Sequence, residues 1–138
     1  MQAELNWIAI LAATVICFIV GAVWYGFLFA KQWMKYANLS KDGDKNTPYG
    51  VFLIPPTAAL ISTIIIAHTG YITHVFYGIN FLAATLTSAI ILWLGFSFTT
   101  LVVNNVFESR PWQLLVINSG YTLVLAIAAG LTIGLVGV

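Results

Sequence analysis

Apolar positions in this chain come in four long continuous runs, at roughly residues 5–30, 49–69, 79–103 and 113–137. A helix needs about 20 predominantly apolar residues to cross the hydrocarbon of a bilayer, and each run reaches that length. Lipid-facing strands would alternate apolar and polar positions, so the runs predict helices. The fold class that follows is all-α: a polytopic membrane protein whose single domain, 1–138, holds four transmembrane helices. Polar segments near 31–48, 70–78 and 104–112 separate the spans and pair them into two sequential hairpins. The first run reads as a span and not as a cleavable leader. Glu4 precedes it, no basic residue does, and it exceeds the apolar core of about 7–15 residues that a leader carries.

Composition agrees. Of 138 residues, 61% are hydrophobic and 7% charged, with a mean hydropathy of +0.98. A soluble domain carries about 25% charged residues, so this chain cannot cover a water-facing surface. No Asp, Glu, Lys or Arg occurs from Leu5 to Ala30, from Gly50 to Phe107, or from Pro111 to Val138. The basic residues set the orientation. Lys31, Lys35, Lys41 and Lys45 fall in the first loop and Arg110 in the third, which share a side in a four-span protein. The positive-inside rule makes loops 31–48 and 104–112 cytoplasmic and puts both termini outside, the arrangement expected of a plasma (inner) membrane protein.

Aromatic residues mark that same end. Trp24 and Tyr25 close the first span, and Lys31, Trp33, Lys35 and Tyr36 follow, a pattern that suits an interfacial belt. A lipid-headgroup site is the sharper alternative. The pattern Trp24-x-Gly26-Phe27-x-Phe29 recurs as Trp93-x-Gly95-Phe96-x-Phe98, 69 positions later. A duplicated hairpin explains the echo, with a pseudo-twofold axis along the membrane normal; two similar interfacial segments arising by chance is the alternative.

Small residues let helices approach in lipid. Ala13-x-x-x-Cys17-x-x-x-Gly21 on the first span, Ala126-x-x-x-Gly130-x-x-x-Gly134 on the last, and Thr85, Ser88, Leu92, Gly95 and Thr99 on the third are the expected contact stripes. Cys17 reads as a packing residue. Four spans leave little interior, which leaves room for a homo-oligomer.

Candidate chemistry is sparse. Thr47-Pro48 reads as the start of the second span, which puts Pro55-Pro56 two turns inside it. Prolines there strip two carbonyls of their donors, as in the broken helices that build transporter sites; a healed kink is the plain alternative. Polar groups gather at the same end of the bundle: Asn104, Asn105, Glu108 and Arg110 on one side of a turn, Gln113 and Asn118 on the other. Asn118 should point into the bundle, towards the third span or the diproline, its oxygen accepting from Tyr25 or Asn104. Glu108 and Arg110 read as a local ion pair, or as a site for an anionic ligand. His68 and His74 fall in the outer loop and are weak metal candidates, since a six-residue spacing does not put them on one helical face. Asp42-Gly43-Asp44-Lys45-Asn46 imitates a calcium loop but has Thr47 where the glycine belongs, and reads as a turn. Ser109 beside Glu108 lacks a histidine on its side of the membrane. No catalytic residue, cofactor motif or nucleic-acid partner follows from the sequence, and membrane lipids are the partners it implies. With no titratable group mid-span, a proton-coupled antiporter is disfavoured.

Gly21-x-x-Trp24-Tyr25, Lys31-x-Trp33-Met34, Phe107-Glu108-x-Arg110-Pro111 and Gly120-Tyr121 together resemble a bacterial membrane family catalogued as domain of unknown function 1761. The resemblance covers nearly the whole chain and is weakest around 37–53. It implies a small four-span inner-membrane protein and supplies no activity. Where that family usually has a proline after the Trp-Tyr pair, this chain has Gly26, Phe27 and Leu28, so a less kinked helix end is expected. Two functions remain. One is a non-enzymatic protein that binds or transports a small molecule, ion or lipid through a site near Trp24, Tyr25, Pro55, Pro56, Asn104, Glu108, Arg110 and Asn118. The other is a structural or partner subunit with no ligand of its own.

Overall fold

The computed structural model describes residues 5–38 and 53–137, and among them it holds helices and no strand. Helix α1 spans Trp7–Val23 and passes into a π-helical turn, Trp24–Leu28, before a short α2, Ala30–Tyr36. Helix α3 spans Ile54–Tyr77 and α4 spans Phe81–Leu92. A second π-helical turn, Trp93–Phe98, joins α4 to α5, Thr99–Phe107, and α6 spans Trp112–Val136. Four stretches are long and apolar enough to cross a membrane: Trp7–Leu28, Ile54–Tyr77, Phe81–Phe107 and Trp112–Val136. This is a multi-pass membrane protein. Phe27 and Phe107, 83% and 85% exposed, suit lipid and not water.

The ends of the helices follow from local chemistry. The Asn6 and Asn80 side-chain oxygens accept from backbone N–H groups in the first turns of α1 and α4, satisfying donors that lipid cannot. Gly78, at φ +64°, ends α3 in the left-handed conformation that glycine adopts without strain. The turn from α3 to α4 is therefore only three residues long, 78–80. The segment 70–78, expected as a loop, continues α3 as far as Tyr77. His68 and His74 accordingly stand on a helix and not in a loop. His74 Nδ1 meets the Ile79 carbonyl and its ring packs edge-on against Phe81. It clamps the turn.

The diproline is also corrected. Pro55 and Pro56 occupy the first turn of α3, where a missing N–H costs nothing and the fixed φ suits a helix start. They begin the helix and do not break it. The Thr47-Pro48 start and the turn at 42–46 lie outside the described residues.

The helices close into a ring in which α1 and α4 each pack against both α3 and α6. The core is built of small residues, with Ala13, Cys17, Ala84, Thr85 and Ala129 at 0% exposure. Each interface in the ring carries a hydrogen bond. Thr14 meets Thr63 between α1 and α3, and Thr73 meets Ser88 between α3 and α4. Cys17 Sγ donates to the Leu125 carbonyl between α1 and α6. Thr85 Oγ1, 2.9 Å from the Gly130 carbonyl, links α4 to α6. Thr85 is a wedge. A Cβ on Gly70 would come within 2.6 Å of its methyl group, and one on Gly134 within 2.5 Å of its hydroxyl. Glycine at these positions sets how closely α4 approaches its two neighbours.

Both copies of the Trp-x-Gly-Phe-x-Phe pattern are π turns. A π turn brings residues i and i+5 to one face, and the rings pair accordingly: Trp24 on Phe29 at 4.6 Å and Trp93 on Phe98 at 5.3 Å, each at 36°. The helix end expected to run straighter without proline is instead widened, and Phe29 N–H donates to the Trp24 carbonyl at 2.9 Å. The local geometry repeats, but both indoles turn to α6, where a twofold relation would send Trp93 to α3. The second turn also shifts the register of the third span. Gly95 and Thr99, expected on the contact stripe, face outward, and Trp93, Ser97 and Leu101 take the inner side.

Candidate functional site

The first π turn delivers Trp24 and Tyr25 to α6. Trp24 Nε1 donates to the Ile117 carbonyl at 3.1 Å, and Tyr25 Oη donates to Asn118 Oδ1 at 2.9 Å. The Tyr25 ring stands between Trp33 and Tyr121, with centroids at 5.1 and 4.9 Å. Two glycines make the joint fit. A Cβ on Gly120 would meet the Trp24 ring at 3.2 Å, and one on Gly21 the Tyr121 hydroxyl at 3.1 Å. Gly21, Trp24 and Tyr25 thus interlock with Gly120 and Tyr121. Trp24 and Tyr25, expected in an interfacial belt, form a half-buried joint between α1 and α6.

Asn118 turns inward as its amide requires, with Tyr25 as its donor. Pro55 lines a different cavity, and the carbonyls of residues 51 and 52, the expected partners of the Asn118 amide, lie outside the described residues. The cavity beside Asn118 measures about 150 Å³ and is lined by Leu101, Asn104, Asn105, Glu108, Arg110 and Leu115 as well. Four expected site residues, Asn104, Glu108, Arg110 and Asn118, therefore meet around one cleft. The register shift at the second π turn turns α5 so that Leu101, Asn104 and Glu108 face it. Arg110 Nε pairs with Glu108 Oε2, both side chains about half exposed at 52% and 48%. Asn105 ties the turn, its Nδ2 donating to the Arg110 carbonyl and its own carbonyl accepting from Arg110 N–H, each at 3.0 Å.

A larger cavity was not apparent from the sequence. It measures about 450 Å³ and lies between α3, the second π turn and α6. Its walls are mostly apolar, among them Pro55, Ala58, Phe96 and Leu125, with Ser62, Ser97, Tyr121 and Thr122 as polar points. Trp93 lines it and fixes its own orientation by donating Nε1 to Thr122 Oγ1 at 3.0 Å. The recurrence of the Trp24 pattern at Trp93 was the one available signal, but it does not reveal which helices part. The volume falls within the range of about 300–1,000 Å³ that takes a small organic ligand, whereas the Asn118 cleft admits only a small polar group.

The elements are ordered along one helix. Leu114, Asn118, Tyr121 and Leu125 are spaced to share a face of α6, with Asn118 on the polar cleft and Tyr121 and Leu125 on the apolar groove. The arrangement offers amide hydrogen bonds, one guanidinium–carboxylate pair and an apolar slot. Of the remaining expected residues, Pro55 lines the groove, Pro56 lies beside it in the first turn of α3, and His68 is exposed on α3. The profile of a family described as protein of unknown function (DUF1761) matches residues 8–134. No curated protein and no solved structure matches the chain.

Proposed function

The chain belongs to the DUF1761 family, and from that premise we propose that it is a membrane-embedded, non-enzymatic binding protein for an amphiphilic small molecule. The apolar part of the ligand occupies the groove lined by Trp93, and its polar part reaches the cleft of Asn104, Glu108, Arg110 and Asn118. One observation carries this reading: the apolar groove and the polar cleft follow one another along a single face of α6, one helical turn apart. Ser97 and Leu101 make the same step on the facing side. A ligand entering sideways from lipid would find an apolar wall first and hydrogen-bonding groups next. Lys35 and Arg110 mark this end of the bundle, and the positive-inside rule assigns it to the cytoplasm.

One observation favours a packed subunit with no ligand of its own. Among the described residues, no buried side-chain nitrogen or oxygen lacks a hydrogen-bond partner. Ala58 separates the two readings, because it is exposed on the groove wall and its replacement does not disturb the core. Native mass spectrometry of the protein in mild detergent should show retained amphiphile in the wild type and loss of it in Ala58→Trp, with the melting temperature unchanged. Equal retention by both, or none by either, would favour the subunit.

A further inference from the structure

A third cavity, about 480 Å³, opens between the end of α2 and the turn from α5 to α6. Its walls bring together segments distant in sequence: Lys35, Tyr36 and Asn38 on one side, Ser109, Arg110 and Leu114 on the other. Two cations therefore face one cleft. Glu108 Oε2 meets Arg110 at Nε, which carries one of the five guanidinium N–H donors. Among the described residues that line the cleft or pair with its lining, Lys35 and Arg110 are positive and Glu108 is negative, an excess of one positive charge. Lys35 Nζ lies 5.6 Å from the Tyr36 ring centroid. Ser109 and Tyr36 add hydroxyl groups. A fork of donors, an ammonium and hydroxyls suit an anion with several oxygens, such as a phosphate, better than a neutral polar group.

The position of the cleft bears on the ligand. Leu114 begins the α6 face that continues through Asn118 to Tyr121 and Leu125. From Leu114 to Leu125 is eleven residues, about 16 Å along the axis, so one lipid-sized molecule can touch both ends. Arg110 lines this cleft and the Asn118 cleft alike. We propose that Lys35 and Arg110 form a phosphate site, which holds the headgroup phosphate of an amphiphile seated in the groove. The lipid assignment rests on the proposed binding function. The phosphate chemistry does not, since free phosphate would meet the same groups.

The test measures binding to the full chain in mild detergent with three probes: dioleoyl phosphatidic acid, dioleoylglycerol and inorganic phosphate. Phosphatidic acid should bind more tightly than dioleoylglycerol. Each of Lys35→Gln and Arg110→Gln should weaken phosphatidic acid about fivefold, and the pair about 25-fold, as expected for basic groups at a charged surface. Lys35→Gln, which lies outside the Asn118 cleft, should leave dioleoylglycerol binding unaltered. Lys31→Gln removes an equal charge outside the cleft and should leave phosphatidic acid binding unaltered. Competition by inorganic phosphate at equal concentration would assign the site to free phosphate; no competition would assign it to the lipid. The proposal is overturned if the double variant binds phosphatidic acid as the wild type does, or if Lys31→Gln is as damaging as Lys35→Gln. The groove reading fails separately, if Ala58→Trp still binds dioleoylglycerol.

Discussion

The bond between Tyr25 and Asn118 can be isolated by a double-mutant cycle. It joins two half-buried side chains at 2.9 Å, and the Tyr25 ring is held between Trp33 and Tyr121, so its hydroxyl cannot swing to a new acceptor. Tyr25→Phe removes the donor and leaves Asn118 beside its polar cleft. Interhelical hydrogen bonds in membranes average about 0.6 kcal/mol and reach about 1.7, and that is the expected loss. Asn118→Leu is worse, because it leaves the Tyr25 hydroxyl without its acceptor, at a cost of about 1–3 kcal/mol. The double variant leaves no orphan, so its loss should fall short of the sum by about 1 kcal/mol. For a chain of this size, 1 kcal/mol corresponds to about 4 °C in melting temperature. Thermal melts in detergent, followed by tryptophan fluorescence, read all four corners of the cycle. Additive losses, or an Asn118→Leu variant that melts with the wild type, would refute the bond as the anchor of the cleft.

Other substitutions test the packing. Gly134→Ala places a Cβ 2.5 Å from Thr85 Oγ1 and 2.7 Å from the Leu82 backbone. Overpacking of about 1–3 kcal/mol should outweigh the gain of up to about 1 kcal/mol in helix propensity, and the melting temperature should fall. Gly95→Ala meets nothing within 4 Å and should melt at or above the wild type; the opposite order of the two variants would refute the close approach of α4 to α6. Thr85→Val removes a hydroxyl shared between the Leu82 and Gly130 carbonyls. Because α6 still engages the Gly130 carbonyl within its own helix, the loss by the same melts should be only about 0.6 kcal/mol.

The four spans and the inward aim of Asn118 were legible in the sequence. Lipid makes them so: a spanning segment must be apolar over about 20 residues and satisfy its backbone internally, and an amide within it must find a partner in the bundle. The small-residue stripes were legible for the same reason, up to the point where the third span changes register. Hydropathy is a poor guide to where a helix ends, because histidines and tyrosines suit a loop and an interfacial helix equally. The last turns of α3, with His74 clamping Ile79, were read as a loop on that account. A proline pair likewise has two meanings, a break inside a helix or its first turn, and composition does not choose between them.

The tertiary structure decided what depends on contacts between distant segments. The Trp-x-Gly-Phe-x-Phe pattern was visible, but its π geometry arises where Trp24 and Trp93 must reach α6 while stacking on Phe29 and Phe98. That geometry turns α5 by part of a helical turn and brings Asn104 and Glu108 to Asn118. The groove beside Trp93 is space left where α3 and the second π turn diverge, and no single segment encodes it. Lys35 and Arg110 are far apart in the chain and face one cleft only because α2 folds back against α6. Hydrophobicity and backbone satisfaction are properties of a segment and can be read from it. A cleft is a property of the distances between segments, which side-chain packing sets.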